Sequence, residues 1–275
     1  MELRPFGDPG RRVPALGLGT WNMERDDRGS AIAALRHGIE LGMAHIDTAE
    51  MYGSGQVETM VGEALRHLRD RVFLVSKVLP SNATYDGTIR ACDDSLGRLG
   101  TDRLDCYLLH WPSSHPLEGT IRAFEKLMKD GKIRSYGVSN FDVPGLEEAV
   151  RLAGKGRIAC NQVLYHLAER TVEHQVLPWC EQRGIPIVAY SPLGAQRFKS
   201  GKVLDEIAAA RKVTPRQIAL AFLIRRKSVF AIPKTSVLGH VEENAAAAGL
   251  ALSGDEIRRL EASSPPGPWR GLATA

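Results

Sequence analysis

The chain has 275 residues, of which 43% are hydrophobic and 25% charged, and this length can bury one large core, so we expect a single domain over residues 1–275. Its formal net charge of +4 is spread along the chain, so we expect neither a nucleic-acid nor an acidic-lipid partner. No stretch has the pattern of a secretory signal or the roughly 18 apolar residues of a membrane helix, so we expect a cytoplasmic protein with no membrane partner.

Apolar strands and amphipathic helices alternate along the chain. Residues 2–13 form a predicted hairpin with its turn at 7–10, and it precedes the repeating part. Eight strands follow, predicted at residues 14–20, 44–47, 72–77, 104–110, 133–140, 158–162, 186–190 and 229–232. Helices are predicted at residues 30–41, 56–68, 85–99, 117–129, 143–152, 172–183, 203–212, 215–226, 238–248 and 254–261. Four of these helices are each preceded by a predicted N-cap residue, and in chain order these residues are Thr84, Asp142, Thr214 and Ser253.

This alternation predicts an α/β fold with parallel strands, because each helix returns the chain across the sheet. Two arrangements remain open, an open doubly wound sheet and a closed (β/α)8 TIM barrel. Eight units without a break in composition favour the barrel, with extra helices after the seventh strand and at the C-terminus and a tail at 264–275. The chain also lacks GxGxxG, since residues 17–22 supply only the first two glycines.

Polar side chains follow every predicted strand, at the end where barrel enzymes form their active sites. Alone, each has an ordinary structural explanation; for example, Asp47 could cap a turn and His110 could be a core histidine. Their joint position makes a site the better interpretation. The residues are Thr20, Trp21, Asp47, Lys77, His110, Ser139, Asn140, Asn161, Gln162, Tyr190, Ser191 and Lys234.

Tyr52 lies one short loop after Asp47, and this placement predicts acid–base chemistry. A buried ammonium at Lys77 is expected to lower the pKa of the phenol, and Asp47 is expected to keep that lysine charged. His110 could hold a substrate oxygen by a hydrogen bond, so Tyr52 could exchange a proton with a carbonyl or alcohol oxygen. A barrel isomerase that needs no nucleotide would fit the same residues.

The remaining sequence features concern a candidate anion site, an aromatic residue at a strand end, metal-binding motifs and the cysteines. Lys234, with the hydroxyls of Thr235 and Ser236, precedes the last barrel helix and suits an anion or phosphate. Tyr190 could belong to the core or offer its ring for stacking. No serine or cysteine with a paired base and no HExxH spacing is present, so we expect no metal. The four cysteines, spaced without a CxxC, are expected to be buried free thiols.

Several segments together resemble the aldo-keto reductase family over nearly the whole chain. They are GLGTW at 17–21, DTA at 47–49, YG at 52–53, SK at 76–77, LLHWP at 108–112, GVSNF at 137–141, NQ at 161–162, YSPLG at 190–194, IPK at 232–234 and EN at 243–244. The resemblance implies a barrel that binds NADPH in an extended form and reduces aldehydes and ketones, small molecules that would be its partners. It implies a catalytic tetrad of Asp47, Tyr52, Lys77 and His110, with Tyr52 as general acid.

The resemblance also assigns binding residues. Ser139, Asn140 and Gln162 would hold the carboxamide of the nicotinamide, and Tyr190 would stack on its ring. The further cofactor contacts that it implies are Thr20, Asp47, Ser191, Leu193, Lys234, Thr235, Ser236, His240, Glu243 and Asn244. The substrate contacts are Trp21, Tyr52, His110 and Trp111, and Trp269 would either wall the same pocket or lie in a disordered tail.

His240 departs from the family pattern, because many NADPH-preferring members have arginine at this position. A neutral imidazole binds a 2′-phosphate less well than a guanidinium does, so we hypothesise that Lys234 still favours NADPH but that the preference over NADH is modest and grows at lower pH. A cofactor-binding regulatory subunit is the second possible function, although the complete tetrad disfavours it. We expect a monomer, and the physiological substrate and the favoured direction stay open.

Overall fold

The strands form a hairpin and a larger parallel sheet in the computed structural model, which describes residues 1–194, 198 and 200–274. The hairpin consists of β1 (Leu3–Phe6) and β2 (Asp8–Pro14), which pair antiparallel. The larger sheet has eight strands in chain order. They are β3 (Leu18–Gly19), β4 (His45–Asp47), β5 (Phe73–Val78), β6 (Cys106–Leu109), β7 (Tyr136–Ser139), β8 (Ile158–Leu164), β9 (Ile187–Tyr190) and β10 (Val229–Ala231).

Helices connect these strands in the described part of the chain. They are α1 (Arg28–Glu40), α2 (Gln56–Ala64), α3 (Tyr85–Leu99), α4 (Leu117–Lys129), α5 (Val143–Ala153), α6 (Val176–Arg183), α7 (Lys202–Arg211), α8 (Pro215–Ile224), α9 (Leu238–Ala247) and α10 (Gly254–Ser263). Both α7 and α8 lie between β9 and β10, and α10 follows α9, so the extra helices occur where the sequence predicted them.

The first and last barrel strands meet and close the sheet. Leu16, just before β3, bridges to Ala231 in parallel. The Ala231 amide donates to the Ala15 carbonyl and the Ala231 carbonyl accepts from the Gly17 amide, each over 2.9 Å. The predicted (β/α)8 barrel is therefore confirmed, and the open doubly wound sheet was the wrong alternative.

The hairpin covers the N-terminal end of the barrel. Phe6 and Val13 pack into the apolar interior together with Phe73 and Phe230. The Phe6 ring lies edge-on to both phenylalanines, at centroid distances of 4.9 and 5.1 Å. Because this end is filled by side chains, the opposite, C-terminal end of the strands is left for a site.

Most local predictions hold, and the exceptions have physical causes. The four predicted N-caps each accept a backbone N–H. The predicted turn at 7–10 is shorter, because β2 already starts at Asp8. The predicted strand at 14–20 is reduced to β3 with the bridge at Leu16. The predicted helix at 172–183 is split, because Pro178 lacks an N–H and fits only the first turn of α6.

Two further predictions concern cysteines and membranes. Cys92, Cys106, Cys160 and Cys180 are free and buried, as the sequence predicted. Among the residues described, none of the helices combines the length and the apolar character that crossing a bilayer requires.

Candidate active site

Four ionisable side chains meet at the open end of the barrel, three from the ends of neighbouring strands and Tyr52 from the loop after β4. The Lys77 ammonium donates to Asp47 Oδ1 over 2.6 Å and to the Tyr52 hydroxyl over 3.2 Å. It also donates to the carbonyl of Thr48 over 2.8 Å. The His110 ring lies edge-on to the Tyr52 ring, with the centroids 5.8 Å apart. The predicted tetrad is therefore assembled in space.

Parallel strand pairing brings Asp47 and Lys77 together. Asp47 is the last residue of β4, and Lys77 is the next-to-last residue of the neighbouring β5. Both side chains are buried, with Lys77 fully inaccessible. The second carboxylate oxygen of Asp47 accepts from Gln162 Nε2 over 2.7 Å, so the carboxylate is held from two sides.

A tight turn directs Tyr52 back toward the tetrad. The next three residues, Gly53, Ser54 and Gly55, all have positive φ angles, of 54°, 52° and 89°. A Cβ at position 53 would come within 2.9 Å of the Glu24 side chain, so glycine is needed there for space as well as for conformation. The turn leaves Tyr52 only 9% exposed.

Burial decides the proton affinity of Tyr52. It raises the pKa of the phenol, and Asp47 adds to this, while the Lys77 ammonium lowers it; the net shift is upward. The sequence-based expectation of a lowered pKa is therefore wrong, because the desolvation of the phenolate exceeds the attraction of the ammonium. Burial lowers the pKa of Lys77, but Asp47 and Tyr52 together raise it above its ordinary value, so the lysine is charged as expected.

His110 is neutral in this environment. Burial, followed by the charge of Lys77, lowers the pKa of its imidazole to about 2. The ring Nδ1 is buried and has no hydrogen-bond partner within the described residues. A neutral imidazole has one N–H donor and one acceptor nitrogen, so His110 can hydrogen-bond a ligand without competing for its proton.

A second group of polar side chains lies beside the tetrad. The Tyr190 hydroxyl donates to Asn140 Oδ1 over 2.9 Å, and Asn140 Nδ2 donates to the His110 carbonyl over 3.0 Å. Ser139 Oγ donates to the Gln162 carbonyl over 2.9 Å. Asn140 has a left-handed backbone, with φ of 61°, which asparagine accepts better than most residues do. These bonds fix the amide and hydroxyl groups around the cleft.

The tetrad opens into a cavity of about 780 Å³. The predicted site residues that line it are Thr20, Trp21, Asp47, Tyr52, His110, Trp111, Ser139, Asn140, Gln162, Tyr190, Ser191, Leu193 and Lys234. The sequence did not single out four others that line it, Asn22, Arg25, Met51 and Thr274. Trp269 is outside the described lining; it packs against the core, with its ring 6.4 Å from that of His174. Neither alternative for Trp269 holds, since it packs against the core instead of walling the pocket or lying in a disordered tail, and Thr274 of the same tail lines the cavity.

Of the predicted cofactor contacts in the segment after β10 and on α9, Lys234 lines the cavity, whereas Thr235, Ser236, His240, Glu243 and Asn244 are outside the described lining. The Lys234 ammonium and the Ser236 hydroxyl both bind the carboxylate of Asp26, which lies in the loop after β3. Thr235 Oγ1 accepts from the Val237 amide over 3.1 Å at the start of α9. Further along α9, Asn244 is buried and Glu243 is half-buried.

His240, also on α9, has a partner that the sequence did not suggest. Its Nε2 lies 3.2 Å from Arg216 Nη1 of α8. Asp26 and Arg216 both escaped the sequence analysis, because in the sequence each is an ordinary charged residue far from the segment that it contacts.

The cleft has the chemistry for an extended nucleotide. Amide and hydroxyl groups surround its tetrad end, where a buried His110 nitrogen has no partner within the described residues. Lys234 lines its other end, and the hydroxyl residues Thr235 and Ser236 follow it in the chain. Among the described residues, no group of three or more His, Cys, Asp or Glu could hold a metal ion.

Comparison with known proteins identifies this architecture. The model of the Aldo/keto reductase family matches residues 15–265. Methylglyoxal reductase YeaE of Escherichia coli (strain K12) is 49% identical over 260 residues, which cover 92% of each chain. An aldo/keto reductase from Klebsiella pneumoniae, in complex with NADP and acetate, superimposes with a TM-score of 0.94 at 46% identity over 99% of each chain. A second Klebsiella pneumoniae structure, in complex with NADPH, gives 0.93 at 45% identity over 100% of each. The chain therefore belongs to the aldo-keto reductase family and is an oxidoreductase.

Proposed function

We propose that this protein uses NADPH to reduce small aldehydes and ketones to alcohols, with Tyr52 as the general acid. The observation that carries the proposal is the Tyr52 hydroxyl, 3.2 Å from a charged and fully buried Lys77, in the lining of a cavity of nucleotide-binding character. The two Klebsiella pneumoniae relatives in complex with NADP and NADPH support the choice of cofactor.

Tyr52 has the properties that proton donation requires. Its raised pKa keeps the phenol protonated at neutral pH, so a proton is available when a carbonyl oxygen arrives. After transfer, the phenolate lies beside the Lys77 ammonium, which stabilises the new negative charge in a site of low polarity. Asp47 keeps Lys77 charged throughout and takes no proton in this scheme.

A nicotinamide held in this cleft would supply a hydride to the carbonyl carbon. Tyr52 gives its O–H proton to the carbonyl oxygen, so the C=O group becomes CH–OH with atoms and charge balanced. The neutral His110 donates a hydrogen bond to the same oxygen and orients it. Ser139, Asn140 and Gln162 hold the carboxamide, and the Tyr190 ring supports the nicotinamide face, in roles proposed from the family resemblance.

The substrate class follows from the cleft and from one relative. Trp21, 42% exposed, and Trp111, 37% exposed, flank an open mouth that suits small carbonyl compounds. Because YeaE is named a methylglyoxal reductase, we propose 2-oxoaldehydes such as methylglyoxal as substrates. A monomer and a single domain over 1–275 stay predictions, and no observation favours the regulatory-subunit or isomerase alternatives.

The Tyr52→Phe variant tests the proposal. It should bind NADPH as tightly as the wild type, measured by quenching of protein fluorescence, because only a hydroxyl is removed. Turnover of methylglyoxal should fall by a factor of about 10²–10⁴, the usual contribution of a positioned acid. Tyr85→Phe, at the start of α3, is the matched control and should keep full turnover. Retained turnover in Tyr52→Phe would remove this residue from its role.

A further inference from the structure

We infer that Arg216 is the guanidinium that binds the 2′-phosphate of NADPH and thereby determines cofactor choice, acting together with His240. This inference rests on the proposed function and deepens it. Its starting point is the contact between Arg216 Nη1 and His240 Nε2, 3.2 Å apart, which joins α8 to α9. His240 occupies the position where related NADPH-binding chains carry arginine, so Arg216 brings a guanidinium to that position from a neighbouring helix.

The start of α8 is held firmly against α9, which fixes Arg216. Thr214 caps α8 in a capping box with Gln217. Gln217 Nε2 donates to the Glu243 carbonyl over 3.1 Å, and Thr214 Oγ1 donates to the Glu243 carboxylate over 3.4 Å. Arg216 lies between these two anchors, so its backbone is positioned relative to His240 without any ligand.

The charge around Arg216 favours an anion. It lies in the first turn of α8, where the partial positive charge of the helix end makes a cation unfavourable. Within the described ranges, no Asp or Glu oxygen lies within ion-pair distance of its guanidinium, whereas the Lys234 ammonium is paired with Asp26. Arg216 therefore holds positive charge that the protein itself does not neutralise.

The guanidinium of Arg216 also raises the expected selectivity for NADPH over NADH. A phosphate accepts two parallel hydrogen bonds from arginine, and an arginine side chain stays charged at all working pH values. The modest preference for NADPH expected from the sequence took account of Lys234 and the His240 imidazole but not of Arg216. With Arg216 beside it, the position regains the group that recognises a 2′-phosphate, and NADH lacks the phosphate that would use it.

Binding measurements on Arg216→Gln test the assignment. Dissociation constants for NADPH, NADH and adenosine 2′,5′-bisphosphate are measured by fluorescence titration, without turnover. The constants for NADPH and the bisphosphate should rise roughly 10- to 100-fold, the loss expected for hydrogen bonds to a charged group, while that for NADH changes less than about 2-fold. Arg216→Lys keeps the positive charge but loses the two parallel N–H donors of the guanidinium, so its dissociation constants for NADPH and the bisphosphate should lie between those of the wild type and those of Arg216→Gln.

Two controls, the Arg211→Gln variant and the wild-type protein, distinguish between the possible negative results. Arg211→Gln, on α7 and paired with Glu256, should leave all three constants unchanged. An equal loss for NADPH and NADH in Arg216→Gln, or no loss for either, overturns the assignment of Arg216 alone. Failure of the wild-type protein to bind either nucleotide overturns the proposed function itself.

Discussion

The buried ion pair between Asp47 and Lys77 allows a quantitative test of how the site is held together. Its atoms lie 2.6 Å apart and both side chains are almost fully buried. At an effective dielectric constant of about 20, two charges at this distance attract by about 6 kcal/mol. Removing one partner of a buried pair typically costs about 3–5 kcal/mol, because the other charge is left uncompensated. We therefore expect Asp47→Asn and Lys77→Met each to lower the free energy of unfolding by about this amount.

The double variant measures the interaction itself. Asp47→Asn with Lys77→Met leaves no unpaired charge, so urea unfolding of the four proteins should give a coupling energy between about 3 and about 6 kcal/mol. The exposed pair Lys132–Asp93, also in close contact at 2.5 Å, is the control and should give less than about 1 kcal/mol. A coupling at the buried pair as small as that of the control would refute the account of Lys77 as a charge held by Asp47.

Two more predictions concern acid stability and the C-terminal tail. Burial lowers the pKa of His45 to about 4 from 6.5, so the unfolded state takes up a proton first as the pH falls. This removes about 2 kcal/mol of stability by pH 5, a loss that urea unfolding of His45→Gln should lack; an unchanged pH slope would contradict it. Thr274 lines the cavity, while Ser264 and Gly267 anchor the tail through backbone carbonyls. Deleting residues 273–275, which spares Leu272 on the core, should therefore change KM for methylglyoxal and leave the melting temperature unaltered, and an unchanged KM would dismiss a role for Thr274.

The strand ends could be predicted from the sequence because two simple rules suffice. Apolar runs that alternate with amphipathic helices give parallel strands, and the first polar residue after each run lies at the same edge. Asp47, Lys77 and His110 follow this pattern, and the structure brings them together. The N-caps were predictable for a similar reason, since a cap such as Thr84 bonds a backbone group only three residues away.

Contacts between distant segments could not be predicted in this way. Asp26 pairs with Lys234, and Arg216 meets His240, through side chains whose partners no local pattern specifies. The direction of the Tyr52 pKa shift depends on the balance between burial and the nearby ammonium, and burial of a single phenol is not readable from the sequence. The position of Trp269 could not be predicted either, because the path of the tail depends on a distant contact, that of the Gly267 carbonyl with His174 Nε2.

The closure of the barrel, where Leu16 bridges to Ala231, has a consequence for the order in which the cleft forms during biosynthesis. Asp26 and Ser236 are 210 positions apart, so this corner of the cleft joins two segments of which the second is translated 210 residues after the first. A ribosome-bound chain that still lacks β10 has no partner for Asp26. The contacts of Asp26 with Lys234 and Ser236 can consequently form only after β10 and the segment that follows it have been made.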